Sequence, residues 1–443
     1  MASSTLTVEQ VLALAPDASA AAAGRKLGAA SHWTNPGRAA HALWGECRGS
    51  ALYQVRVDLG DLSSKCSCPS RKLPCKHALG LLVLFAGGHL PEAPPPEWVT
   101  EWLERRAASS ERKEKRKATL AEGAPPADPQ AQSRRTSDRQ ERVSRGLEAM
   151  RAWMEDLVRM GFASLEPNTD TWSTQAARLV DAQAPGMASR VRRLAEIPGT
   201  GPGWPRRLLD ALGRLALAAE AWGRRDTLPA PLQEDLRTLV GFSLREEEVE
   251  ARGEQVHDTW TVLSHVQDDE ERVRVQRTYL MGTTTGRIAL VLQFAAGRAT
   301  FTDSFLPGSA FDARCVFWPS AVPRRAKVLE RRGEVHAWTG PLPALSIEDL
   351  GQRFAQELSQ NPFQDSTPVL LGPVTPLRDA HAHWWLRDAT GAAVRLGGAN
   401  HWSLLALSGG QPLEVFGDWD GEHLWPLGAR VGRILHPLKG VTS

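Results

Sequence analysis

The segment Cys66-Ser-Cys68-Pro-Ser-Arg71-Lys72-Leu-Pro-Cys75-Lys76-His77 places three cysteines and a histidine within twelve residues. Its form, C-x-C-x6-C-x-H, supplies the Cys thiolate and His nitrogen ligands that a structural zinc ion takes, in the number that completes a tetrahedron. One residue separates the ligands of each close pair, so both side chains of a pair can turn towards one point. Pro69 and Pro74 stiffen the loop that must bring the pairs together. The chain has five cysteines, the others being Cys47 and Cys315. An odd number with three clustered points to metal rather than disulfides, and to a reducing compartment. Iron–sulfur clusters usually take four cysteines. Four protein ligands leave no open position, so one structural Zn2+ is expected rather than a catalytic one.

The flanking residues give this segment a frame. Upstream, Tyr53, Val55, Val57 and Leu59 alternate with Gln54, Arg56 and Asp58, the period of a half-buried strand. Leu43-Trp-Gly-Glu-Cys-Arg-Gly-Ser50 reads as its hairpin partner, turned at Gly49-Ser50. Downstream of His77, Ala-Leu-Gly-Leu-Leu-Val-Leu-Phe-Ala predicts a short helix buried on nearly every side and stopped at Gly87-Gly88. The ligands would staple a strand pair to a helix in a unit too small for its own core, so metal binding supplies folding free energy. Loss of zinc is expected to unfold the N-terminal region alone.

Residues 40–86, read through these ligands, the strand pair and the helix, resemble the SWIM-type zinc finger, and within it a bacterial group of SWIM finger proteins. They do not resemble the finger that ends in H-x3-5-H. The resemblance implies ligand roles for Cys66, Cys68, Cys75 and His77 and a ββα finger. It also implies DNA binding or protein–protein contacts, the activities associated with the family. For bacterial members it implies partners such as a MoxR-type AAA ATPase and von Willebrand A-type proteins.

Charge does not choose between those activities. A formal net charge of +2 over 443 residues argues against a strongly basic coat. Residues 44–80 hold six Lys/Arg against three Asp/Glu, and zinc with three thiolates removes one positive charge from that balance. Lys65, Arg71, Lys72 and Lys76 are the candidate nucleic-acid contacts, with Arg71 and Lys72 on the loop between ligand pairs, in reach of a phosphate. Arg112, Lys113, Lys115, Arg116 and Lys117 would add salt-sensitive, non-specific attraction. The same charges serve solubility alone, and a finger that binds only protein is the equal alternative.

The rest of the chain reads as an α+β multidomain protein. The hydrophobic share of 42% and charged share of 23% are those of a globular protein. The N-terminal residues lack a basic leader, and the longest apolar run, 78–87, is too short to cross a bilayer, so a cytoplasmic protein without membrane partners is expected. Residues 1–90 form the finger domain, opening with a helix over 8–30. Pro91-Glu-Ala-Pro-Pro-Pro96 starts a linker to residue 145, whose stretch 104–145 has 12 Lys/Arg against 7 Asp/Glu. Residues 146–250 are helical, with Leu147, Met150, Met154 and Leu157, then Leu208, Leu212, Leu215 and Trp222, at helical spacing. Residues 251–443 are β-rich, with strands over 259–266, 272–280 and 287–294, a helix over 346–360, and strands near 383–387, 392–396, 402–407, 413–416 and 422–425. No repeat of fixed period stands out.

Other candidates carry weaker signals. His381 and His383 could ligate a metal from one strand face, but packing explains them more simply. Gly199-Thr-Gly-Pro-Gly203 lacks the strand and Lys-Ser/Thr of a phosphate loop and reads as a helix connection. Sixteen tryptophans against two tyrosines is an unusual balance. Trp318, Trp338, Trp384, Trp385, Trp402, Trp419 and Trp425 crowd the C-terminal part, most as packing residues and a minority as a binding groove. Cys47 and Cys315 read as buried thiols. No spacing selects a nucleophile–base or paired-carboxylate set, so a non-enzymatic protein is expected, with a site in the β-rich domain as the remaining enzymatic alternative.

Overall fold

The computed structural model of the chain describes residues 6–70, 72–108, 129–163, 165, 170–270, 273–296, 301 and 303–438. Helix α1 (Val8–Ala13) starts at a Thr7/Gln10 capping box, and α2 (Ala18–Leu27) starts at Asp17, whose carboxylate accepts the Ala20 N–H. The single helix expected over 8–30 is therefore two, because Pro16 interrupts it and Asp17 caps a new start. Strands β1 (Trp33–Ala39), β2 (Ala42–Arg48), β3 (Leu52–Asp58) and β4 (Ser64–Cys66) form one antiparallel sheet in that order. The Asn35-Pro36-Gly37 stretch, for all its proline and glycine, lies within β1, which joins β2 through a bulge between Thr34 and Gly37. Helix α3 (Lys76–Ala86) is buried from His77 to Leu84. Helix α4 (97–108) follows. The Arg56 guanidinium lies over the rings of Trp98 and Trp102, 5.2 and 5.7 Å from their centroids, and straps α4 to β3.

The middle of the chain is helical. It comprises α5 (Pro129–Met160), α6 (Asp170–Asp181), α7 (Pro185–Leu194), α8 (Trp204–Gly223), α9 (Ala230–Val240) and α10 (Glu246–Arg252). Met150, Leu157, Leu208, Leu212, Trp222 and Leu236 share one core. Residues 129–145 of the expected linker belong to α5, and residues 109–128, with Arg112 to Lys117, lie outside the described residues.

The β-rich part is built from two sheets of one strand order. Strands β5 (Gln255–Glu270), β6 (Val273–Gly282), β7 (Ile288–Ala296), β8 (Ser309–Phe317) and β9 (Ala326–Ala337) run β7-β6-β5-β8-β9, and a parallel bridge from Leu290 to Arg325 brings β7 round to the start of β9. Helix α11 (Ile347–Gln360) leads to the second set: β10 (Thr367–Arg378), β11 (Trp384–Arg387), β12 (Ala393–Leu396), α12 (Trp402–Ser408), β13 (Leu413–Trp419), β14 (His423–Val431) and β15 (Ile434–Pro437). Their order is β12-β11-β10-β13-β14-β15, and parallel pairing of β12 with β14 closes five strands into a barrel. In both barrels the first strand is the longest, carries a bulge (Val262/Ser264 or Leu371/Val374) and pairs with the second and fourth. Residues 402–407, expected as a strand, form α12 instead. Its buried positions, Leu404 and Ser408, recur at a spacing of four, which is a helix period.

The units pack on one another. Leu6, Val11, Leu59 and Leu62 of the finger domain join Phe305, Leu306, Phe311 and Val335 of the first barrel in one buried cluster. Gln10 Nε2 donates to the Gly308 carbonyl at 2.9 Å, and the Val335 N–H to the Leu59 carbonyl at 3.1 Å. The second barrel covers the outer face of β5–β7. Leu370, Phe416 and Leu435 press on Leu263, Tyr279 and Met281, with Ile288 and Leu290 at the margin. Tyr279 donates to Asp418 at 3.0 Å, and burial pushes both groups' pKa values up, which keeps Tyr279 a donor. Arg324 ties the junction to Glu357, the Ser366 carbonyl and Thr367. Among the described residues no helix is long and apolar enough to cross a membrane.

Candidate metal centre

Two structural accidents of the chain bring the four ligands together. β4 pairs with β3 so that Cys66 lies opposite Val55, and the chain then turns so that Cys75 becomes the N-cap of α3, with His77 in its first turn. The Sγ atoms of Cys66, Cys68 and Cys75 and a ring nitrogen of His77 all lie within 4.8 Å of one another. Cys66 Sγ is 3.7 Å from His77 Nδ1. Zinc–sulfur and zinc–nitrogen bonds of about 2.3 and 2.0 Å at tetrahedral angles require ligand atoms about 3.5–3.8 Å apart, so the donor set and its spacing fit one zinc ion.

The surroundings favour the ligating thiolate of Cys75. The Cys75 thiol is brought down to about 4: the Cys66 thiol donates to it, His77 adds a hydrogen bond, and the Ala78 and His77 N–H groups opening α3 point at it, against the cost of burial. Cys66 is pushed up, since its proton is shared with Cys75 in a buried site. A bound zinc ion would displace that proton, which makes affinity fall with acid. The Cys68 N–H donates to Cys66 Sγ at 3.5 Å, and the Tyr53 ring stacks at a tilt against His77 with centroids 4.9 Å apart. His77 is 4% exposed, so packing also holds its ring.

Of the four basic residues singled out beside the ligands, three lie among the described residues. Lys72 donates to Asp17, the cap of α2, at 2.5 Å. Lys65 stands exposed on β4 and Lys76 exposed in the first turn of α3, while Arg71 lies outside the described residues. The pairing of Lys72 with Asp17, 55 residues away, had no sequence signal. Among the described residues the Cys66/Cys68/Cys75/His77 set is the group whose ligand atoms converge. His381 and His383 sit exposed in the turn before β11, where Asp379 accepts their N–H groups. Cys47 and Cys315 are fully buried thiols, and burial raises Cys315 to about 12. Gly199–Gly203 connects α7 to α8, as expected.

A closed Cys3His centre that staples a short sheet to the first turn of a helix defines a structural zinc-finger protein, with no position left for substrate at the metal. Residues 53–84 match the family model of the SWIM zinc finger, and residues 138–240 that of the SWIM-associated four-helix bundle domain. The chain therefore carries a SWIM-type zinc finger and the helical bundle domain associated with it. No curated protein and no solved structure matches it.

Proposed function

We propose that this protein is a non-enzymatic, cytoplasmic binding platform whose zinc finger engages a protein partner rather than the groove of a duplex. The observation that carries this reading is the burial of α3 from His77 to Leu84, since a finger that reads a major groove must leave its helix free to enter it. The charge pattern supports it, because Asp17 engages Lys72. The apolar residues that remain outside also support it. Leu73, between the ligand pairs, is 55% exposed, and Leu52, at the start of β3, is 53% exposed. The ATPase and von Willebrand A-type proteins implied by the family resemblance are the first candidates for the partner.

The non-enzymatic reading draws support from the clefts. One cleft, of about 360 Å³, is lined by Arg190 and Asp235, but Arg190 is paired with Asp365, and Asp235 accepts the Ala321 N–H. Those are structural roles. The test is co-purification after nuclease treatment. Leu52→Asp combined with Leu73→Asp should lose the protein partner while keeping one zinc per chain. Retention of the partner in that variant, with loss in Lys65→Glu/Lys76→Glu and on nuclease treatment, would reverse the assignment in favour of nucleic acid.

A further inference from the structure

The two barrels share a strand order in which the first strand pairs with the second and fourth, and the third runs parallel to the fifth. In the second barrel a helix, α12, links the third and fourth strands. This is the order of the five-stranded Greek-key barrel that presents ligands on its second and third strands and on the loops after its first and fourth. Fold alone does not assign a ligand, so the two faces must be compared by what they carry. On the first barrel the face is aliphatic and aromatic (Tyr279, Met281, Ile288, Leu290), and the second barrel covers it. On the second barrel, the equivalent face is not covered by any of the hydrophobic clusters among the described residues.

That face carries a different chemistry. Strand register places Leu377, Trp385, Arg395 and His423 in one row across β10, β11, β12 and β14, with Arg387 in the next row. Trp385, Arg395 and His423 are half-buried and Arg387 is exposed. The Trp425 indole lies flat on Gly397, where a Cβ would come within 2.5 Å of the ring, so its other face turns away from the sheet. Both indoles are fixed at their edges: Trp385 Nε1 donates to Asp379 at 3.0 Å and Trp425 Nε1 to Asp420 at 2.9 Å. The same two aspartates accept backbone N–H groups of their own turns, His381 and His383 for Asp379, Glu422 and His423 for Asp420. Both carboxylates are thus taken up in hydrogen bonds of their own turns. Arg387 and Arg395, by contrast, have no carboxylate partner among the described residues.

We infer that this face of the second barrel binds single-stranded nucleic acid, with Trp385 and Trp425 as stacking platforms and Arg387 and Arg395 as phosphate contacts. Fixed indoles need an open base face, which a duplex does not offer, and two unpaired guanidiniums beside them match a polyanion in charge. The inference rests on the reading of the chain as a binding platform, but assigns a ligand to a surface remote from the finger.

The experiment is fluorescence anisotropy of the full, zinc-loaded chain with labelled oligothymidylate, oligouridylate and a duplex, each about twenty units long to exceed the usual site size of about 4–16 nucleotides. Single strands should bind, more tightly than duplex, with affinity falling as salt rises. Arg387→Glu/Arg395→Glu should raise Kd at least about tenfold and reduce the slope of log Kd against log salt by about 1.4, the loss of two phosphate contacts. An iodouridine strand should crosslink to Trp385 or Trp425. Preference between thymidylate and uridylate tells DNA from RNA, and either result upholds the site. Absence of binding at low salt, or binding untouched by the arginine reversals with near-UV circular dichroism unchanged, would overturn it. So would exclusive binding of a polypeptide through these arginines. Leu52→Asp/Leu73→Asp should leave oligonucleotide affinity intact, and the arginine reversals should leave the finger's partner bound, so failure of one reading is distinct from failure of the other.

Discussion

At the scale of single residues, legibility follows distance along the chain. Cys66, Cys68, Cys75 and His77 could be read because twelve residues hold the entire ligand set. Asp17 and Tyr53, which meet Lys72 and the histidine ring, could not, since each reaches the site from another element. The same holds for His265 on β5. Burial draws its pKa down to about 4 from 6.5, so the folded protein keeps it neutral between Thr278 and Gln267. The unfolded chain takes up that proton near pH 6.5, so the contribution is complete above that pH and is lost as pH falls towards about 4. His265→Gln should therefore lose less stability than the native chain between about pH 7 and 5.5, read as the shift in urea midpoint at saturating zinc. Parallel loss in both proteins would mean that another group titrates.

At the scale of elements, the errors of sequence reading have separate physical causes. β10 went unread because Pro373 and Pro376 look like breakers, yet Pro373 occupies the bulge between Leu371 and Val374, where the ladder is already interrupted. β8 went unread because its partner β5 is distant in sequence, Gln255 lying opposite Val316 and Thr261 opposite Ala310, and no local turn announces the pairing. The hairpins β2–β3 and β6–β7 were legible because their turns are local. Helix α2 shows how much one cap can carry. It approaches α3 so closely that a Cβ at Gly24 would lie 2.7 Å from Leu79 Cβ, and one at Gly80 2.6 Å from Leu27 Cβ. Its start depends on Asp17. Asp17→Ala should lower the thermal midpoint of the zinc-loaded protein by removing the cap. Asp17→Asn should recover most of the loss, because the amide still caps and the exposed pair with Lys72 adds little. Equal losses in the two variants would transfer the effect to the ion pair.

At the scale of the molecule, the finger is not the self-contained module that its sequence suggested. Its hydrophobic residues and those of the first barrel form one cluster, whereas the helical bundle and the second barrel have cores of their own. Zinc loss should then be felt beyond the N-terminal region. Chelation, or Cys75→Ser, should abolish the bound zinc and lower hydrogen-exchange protection in β5, β8 and β9 as well as in β2 and β3, while α8 and β13 keep theirs. Protection lost only over residues 33–86 would show that the finger folds on its own.

The covered face of the first barrel sets what each surface can tolerate. Tyr279, Met281, Ile288 and Leu290 answer to the shape of the barrel that lies on them, so changes there register as melting, and volume matters more than charge. Trp385, Arg387 and Arg395 occupy the matching strands of the other barrel, where none of the hydrophobic clusters among the described residues covers them. Of two like frames, one has become a socket and the other has kept a free front, so evolution can retune the second without loosening the first.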